Sequence, residues 1–525
     1  ISANGNVELN NSVVDNTKDI VAYDTANMNN STVNNKGKIV SNKEVNLDKS
    51  NVTNTGEITS SEINMTSVTG YNNTGTIKGN YTTLTTTNDL NLTGTLHGED
   101  RLEIKGNNIA NNGGTTGTGY VSITSNDYTN NTELSAEAIS INASGNVVNN
   151  NMITAKDAEI KANNITNNDL IATEGYLGLI AQGQVINTQG SAIYAGENLV
   201  IKGSEVLNQR ADILGQGTID INAAHVKNEV GTIKTLGDIY ITSSNFENVG
   251  EVTNFDYTTY WETWDGQTLT DAEVNNIWMD ENEHLKQVKH DTGLLWEPIS
   301  NWDNSHTYKS YIINWIAENN PTAADKANFF AQYELPKNNT RAFKTGSTQF
   351  PEVALEQKIK SSATTNYATL SAGGNIIIDS DNVLNKDGMI TAGNTVQITA
   401  NRVENVVSLS APIQLQVGNE ELDYMHFSRG SIRKKNYFNA DFKRVLSNGT
   451  LAYVAGQPSV IEGNAVLIYS PNIVTQVVPE AQGKIITGST TGGTKTLTAQ
   501  LTPKGTSSTI STNGQVEIAS NVSSI

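Results

Sequence analysis

The chain has 525 residues, a formal net charge of −20 and a pI near 4.7, so nucleic acid and anionic membrane surfaces are poor partners for it. Only 17% of its residues are charged and 36% are hydrophobic; the rest is mostly uncharged polar, which suits an elongated repeat array better than one large core. Cysteine is absent, which excludes disulfides, Cys-based zinc sites, iron–sulfur clusters and thiol nucleophiles, and no apolar run reaches the roughly 18 residues of a membrane span. Ile1 opens directly into patterned sequence with no signal-peptide layout, so the chain reads as a soluble piece of something longer.

From the N-terminus a unit of about 20 residues recurs, a period that belongs to solenoids. Val52-Thr53-Asn54-Thr55-Gly56-Glu57-Ile58 returns as Tyr71-Asn72-Asn73-Thr74-Gly75-Thr76-Ile77, and later anchors are Val147-Val148-Asn149, Val185-Ile186-Asn187, Val206-Leu207-Asn208 and Val226-Lys227-Asn228. Between the anchors lie short alternating runs such as Leu199-Val200-Ile201 and Ile219-Asp220-Ile221. Two or three period-2 strands per unit, joined by Gly and Asn turns with no room for a helix, predict parallel strands stacked rung on rung. The crossover rule makes that coil right-handed, and the dozen or so rungs before residue 252 would rise roughly 60 Å. The fold class is therefore mainly β: a right-handed parallel β-helix, or solenoid, over 1–252. Asn at the corners is read chiefly as a residue that tolerates left-handed backbone; the second reading is a hydrogen-bonded ladder of inward amides. No proline precedes Pro298, in keeping with uninterrupted strands.

Residues 253–366 break the pattern and hold all six tryptophans. Thr270-Asp271-Ala272-Glu273 is a capping-box pattern, followed by a helical stripe of Val274, Ile277, Trp278, Leu285 and Val288. Tyr308, Tyr311, Ile312, Trp315 and Ile316 form a second stripe, a third starts at Thr322 with Phe329, Phe330 and Tyr333, and a short fourth starts at Pro351 with Leu355 and Ile359. This segment is expected to be an α-helical insert domain. Rungs resume over 367–418, a basic and aromatic stretch interrupts at 419–450, and 451–525 is β-rich and coil-like, since Ile510 to Ile518 repeats the layout of Ile1 to Leu9.

The unit, for example Val383-Leu384-Asn385-Lys386-Asp387-Gly388-Met389-Ile390-Thr391-Ala392 continuing to Ile398, resembles the filamentous haemagglutinin repeat of exoproteins secreted by the two-partner route. The resemblance covers most of 1–252 and 367–410. A repeat stalk followed by non-repetitive sequence is similar to the stalk and receptor-binding region of contact-dependent growth inhibition effectors of the CdiA type. That resemblance implies a secreted cell-surface filament, an outer-membrane secretion partner, and a receptor, protein or glycan, on a target cell. Neither the family's N-terminal secretion module nor a toxin is recognisable in this chain.

Chemistry is sparse. Glu281-x-x-His284 is a bare i, i+3 pair, Gly-Gly-Thr-Lys-Thr near Gly493 lacks phosphate-loop spacing, and acidic residues such as Glu205, Asp220 and Asp238 occur singly. No catalytic residue, metal site or cofactor is assigned, and the chain reads as non-enzymatic. The candidate receptor-binding residues are Tyr257, Tyr260, Trp261, Trp264 and Trp302, in loop-like text with polar neighbours, and Arg429, Arg433, Lys434 and Lys435 among aromatics. The alternatives are an adhesin for host glycans or proteins and, less favoured, a β-helix enzyme that cleaves polysaccharide.

Overall fold

The computed structural model describes residues 1–262, 268–270, 348–349, 355–429, 436–474, 485–486, 498–499, 509–512 and 516–519. They contain strands and no helix. Their parallel strands coil into a β-solenoid of about 16 turns.

Each early rung has three strands. Asp19–Ala22, Thr25–Asn27 and Thr32–Asn35 make one rung, and Lys38–Ser41, Glu44–Asn46 and Asn51–Asn54 make the next. In Glu57–Met65 and several later rungs the first two strands run together, and from Leu199–Gln209 the second and third do. Alternate residues point inward, as period-2 geometry requires. The first strands place Ile20, Ile39, Ile58, Ile77 and Leu96 in one buried column, and Ile153, Ile171, Ile193, Ile213 and Ile233 continue it. Each such side chain contributes about 1.5–3 kcal/mol by leaving water.

The third strands end on the anchor asparagines, and those side chains are the polar spine of the rod. Asn16 Nδ2 donates to Asn35 Oδ1, Asn35 to Asn54 and Asn54 to Asn73, each at 2.7 Å. The column resumes at Asn111 and passes through Asn130, Asn149, Asn167, Asn187, Asn208, Asn228 and Asn248 with links of 2.8–2.9 Å. The second amide proton goes to backbone carbonyls, as from Asn208 to Ala211 at 2.8 Å. The ladder, second of the two readings of Asn, is therefore the structural role of these residues. Left-handed backbone sits elsewhere, at Asn11, Asn30, Lys49, Ser67, Arg210, Val230 and Asp387, so only two of the described non-Gly left-handed positions are Asn.

One rung interrupts the ladder. Leu92 occupies the asparagine register between Asn73 and Asn111, and Asn111 Oδ1 is left without a hydrogen-bond partner. Thr115 likewise replaces an aliphatic residue in the first-strand column, and its Oγ1 is also unpartnered.

The rod continues across large gaps in sequence. Ile239, Ile241 and Phe246 pair in register with Ile376, Ile378 and Val383, and Asn248 donates to Asn385 at 2.8 Å over a separation of 137 residues. Asn385 then donates to Asn405 at 2.7 Å. Rungs persist to the end of the described chain, where Thr509–Thr512 and Val516–Ala519 stack on Val460–Gly463 and Ala465–Tyr469.

The helical reading of 253–366 meets strands wherever that segment is described. Leu355–Asn366, taken from Pro351 onward as a fourth helix, is a strand, because it lies between Glu251–Glu262 and Ile413–Arg429 in an antiparallel sheet whose pairing decides its conformation. The three other helices, over 271–347, lie outside the described residues.

Two changes probe this packing. Asn208→Ala removes both of that residue's ladder links and strands buried amide atoms on its neighbours, so it should lower stability by about 1–3 kcal/mol. Leu92→Asn, which restores a donor for Asn111 Oδ1 at the cost of a buried side chain, should change stability by less than about 1 kcal/mol, whereas Leu96→Asn should be as damaging as any core polar substitution. Thermal melts of the three variants check the ordering. Val230 holds a β-branched side chain at φ 51°; Val230→Asn should raise stability by about 1 kcal/mol, read as a higher melting temperature.

Candidate functional site

An ordinary rung closes tightly. In the rung that ends at Lys386, the third strand reaches the next first strand at Gly388 through Asp387 alone, at φ 48°. Register places the other departures at this same corner, since Val249 partners Lys386 and Lys386 partners Val406. After Val249 the chain does not resume a rung until Ala368, and after Val406 it does not resume until Val460. Two of the three described passes through this corner thus carry long excursions.

By contacts the chain divides into two units: the solenoid, Ile1–Asn254 with Thr364–Ser408 and Gly456–Ile525, and a second unit of Phe255–Ala363 with Leu409–Ala455. In the second unit the two excursions share one sheet. Ile413–Arg429 and Asn436–Ala452 form a long antiparallel hairpin, from Ile413 paired with Ala452 to Arg429 paired with Asn436. Ile413–Arg429 also pairs with residues of the first excursion, Leu355 with Gly418 and Thr348 with Leu422. Gln357 Oε1 accepts from the Gln416 backbone N–H at 3.1 Å. Lys358 ion-pairs with Glu262, and that hydrogen bond raises the lysine's pKa above its ordinary value.

The candidate residues separate. Tyr257, Tyr260 and Trp261 lie in strand Glu251–Glu262, not in a loop, because that strand pairs along the sheet and, at Trp261, with Leu269. Tyr257 is half exposed, whereas Trp261 is 4% exposed and so packs within the fold. Arg429 stands at the last paired position of the hairpin, and Arg433, Lys434 and Lys435 fall in the connecting residues, outside the described set. Trp264 and Trp302 also lie outside the described residues. The shared sheet joins the excursions that carry the aromatic and the basic candidates. Nothing in the sequence announces that juxtaposition.

The rod's own acidic residues have neighbouring partners, and His225 stands between two of them, with Glu247 Oε1 3.3 Å from its Nε2. Glu205 Oε1 lies 3.0 Å from His225 Nδ1, and Asp238 Oδ1 accepts from the Asn375 backbone N–H at 2.6 Å. Among the described residues no group of three His, Asp or Glu could hold a metal ion, and no helix is long and apolar enough to cross a membrane. One face of the rod carries a groove of about 940 Å³ that runs from His97 to Gln216. Sequence reasoning missed it, although its signal was present: one register position along it holds small residues, as at Gly117, Ala136 and Ala155.

The solenoid and its repeat are similar to those of filamentous haemagglutinin-repeat, CdiA-like proteins. The haemagglutinin repeat family model matches residues 153–243 and 352–411. Among curated proteins, the tRNA nuclease CdiA of Escherichia coli (strain STEC_O31) is 27% identical over 252 residues, which is 46% of this chain and 6% of that protein. The chain therefore spans a small fraction of that relative's length. No solved structure matches it.

The tight corner at Asp387 supplies a template for excising the first excursion. Joining Gly250 directly to Ala368 reproduces the Asp387-to-Gly388 connection with a residue that enters left-handed backbone freely. The variant lacking 251–367 should keep the strand signature in circular dichroism and melt within a few degrees of the intact chain.

Proposed function

We propose that the chain is part of a secreted cell-surface filament whose second unit binds a receptor on a neighbouring bacterium, within a contact-dependent growth inhibition exoprotein. The haemagglutinin repeats and the CdiA likeness support a filament of the two-partner secretion kind with a structural and adhesive role. An outer-membrane secretion partner belongs to the same reading. The observation that carries it is the corner: the rod runs on in register while two rungs, with one tight pass between them, release non-repetitive sequence at one position. A stalk needs continuity, and a recognition element needs freedom from the repeat.

In this reading Tyr257, Tyr260, Trp264 and Trp302 supply aromatic contact, and Arg429, Arg433, Lys434 and Lys435 meet acidic groups of the receptor. Trp261, being buried, is assigned to the packing of its own strand and not to receptor contact. A host-cell adhesin uses the same architecture and is separated by the choice of target.

Binding of labelled chain to a panel of intact bacteria and to eukaryotic cells provides the test. The intact chain should bind selected bacteria, and the variant lacking 251–367 should lose at least about tenfold in affinity, roughly 1.4 kcal/mol or more. Arg429→Glu combined with Arg433→Glu, Lys434→Glu and Lys435→Glu should lose a similar amount and reduce the salt dependence. Binding that survives the excision, or that appears only on eukaryotic cells, contradicts the reading.

A further inference from the structure

We propose that the groove on the solenoid face is a binding site for a linear, uncharged or N-acetylated oligosaccharide. It lies within the rod, apart from the residues assigned to receptor binding.

The groove originates in the backbone. At the end of the first strand each rung bends into the second, and the register there holds only small residues: Gly98 with Gly117, and Ala136 with Ala155, Thr173 and Ala195. The bend leaves no room for more. A Cβ at Gly98 would sit 2.2 Å from the Arg101 carbonyl oxygen, and one at Gly117 2.6 Å from Val121 Cγ2. Larger side chains on either side of this small-residue line make the walls, so the concavity runs along the rod axis through successive rungs. Six rung spacings from the rung of His97 to that of Gln216 amount to roughly 29 Å.

Volume and shape select an extended ligand. At about 940 Å³ the groove lies near the upper end of small-molecule pockets, but it is drawn out over many rungs. Its outward positions supply hydroxyls at the rung repeat: Thr116, which meets His97 Nδ1 at 3.0 Å, and Thr154, which donates to Ser135 Oγ at 3.1 Å. Toward the far end Tyr194 accepts from Gln216 Nε2 at 2.6 Å, which fixes a phenol ring beside the groove while leaving its own proton to donate. Hydroxyls, amides and a fixed aromatic ring are the groups that recognise sugar rings and their hydroxyls.

Other ligand classes fit less well. An extended peptide binds a sheet by adding to an edge, and here the strands beside the groove already pair on both sides with neighbouring rungs. A polyanionic glycan would meet Glu137 and Glu174 against Lys156 on a chain of net charge −20.

Calorimetric titration of the full chain with cellohexaose, chitohexaose, their disaccharides, a heparin hexasaccharide and an extended uncharged peptide tests the assignment. One of the neutral hexasaccharides should bind, at least roughly tenfold more tightly than its disaccharide. Thr154→Trp, an outward substitution that strands accept, should abolish binding without changing the melting temperature, and Tyr194→Phe should weaken it severalfold. The variant lacking 251–367 should bind as the intact chain does, which separates this site from receptor binding by the second unit. Absence of binding by both neutral series, tighter binding of heparin or peptide, or indifference to Thr154→Trp would overturn the proposal.

Discussion

The structure depends on an amide that is satisfied only by another amide one rung away. Each spine asparagine is fully buried or nearly so, and an isolated buried amide is expensive. Stacked in register, each Nδ2 meets the next Oδ1 at 2.7–2.9 Å, so the polar cost becomes a condition on alignment. A slip of one residue would turn these amides outward and carry the inward isoleucines with them. Hydrophobic columns supply the driving force, and the asparagines fix which rung sits on which. The rung at Leu92 illustrates the condition from the other side, since one aliphatic residue in the register leaves Asn111 Oδ1 unpartnered.

A rule of this kind is local to each pair of rungs, which explains how the rod tolerates interruption. The Asn248 to Asn385 link has the same length as Asn228 to Asn248 although 137 residues separate its partners. The chain can leave the solenoid at a corner, where no column passes, and return to find the next rung position unoccupied and its hydrogen bonds waiting. Excursions gather at the corner after the third strand, and the residue there, Asp387 in the uninterrupted pass, is the shortest connection in the rung. The two excursions pair with each other as one antiparallel sheet, giving the filament a non-repetitive unit without breaking its core.

Much of this was legible in residue order. The Val-x-Asn anchors, the alternating runs and the resumption at Leu370 gave the solenoid and its phase. Of the two roles the sequence offers for its asparagines the ladder is the one the spine uses, because corners impose left-handed backbone through rung-to-rung pairing whatever residue stands there, Val230 and Arg210 included. Leu355 and Ile359 fit a helical stripe because a spacing of four satisfies a helix, but it also falls on one face of a strand, and pairing with 413–429 chooses the strand. Tyr257 to Trp261 looked like a loop for its polar neighbours, yet Thr, Tyr and Trp are strand formers. The junction between 348–356 and 417–422 could not be seen at all, since each segment alone carries no mark of the other.

The most direct measurement is disulfide trapping across the long gap, made clean by the absence of native cysteine. Tyr240 and Ile377 are register partners on adjacent rungs, whereas Gln397 lies one rung further. Adjacent in-register positions fall within the roughly 4.4–6.8 Å between Cα atoms that a disulfide requires, and positions two rungs apart do not. In the intact chain Tyr240→Cys with Ile377→Cys should oxidise to a monomeric crosslink, and Tyr240→Cys with Gln397→Cys should not. Failure of the first pair, or equal crosslinking of both, would contradict a rod that resumes in register after its insertion.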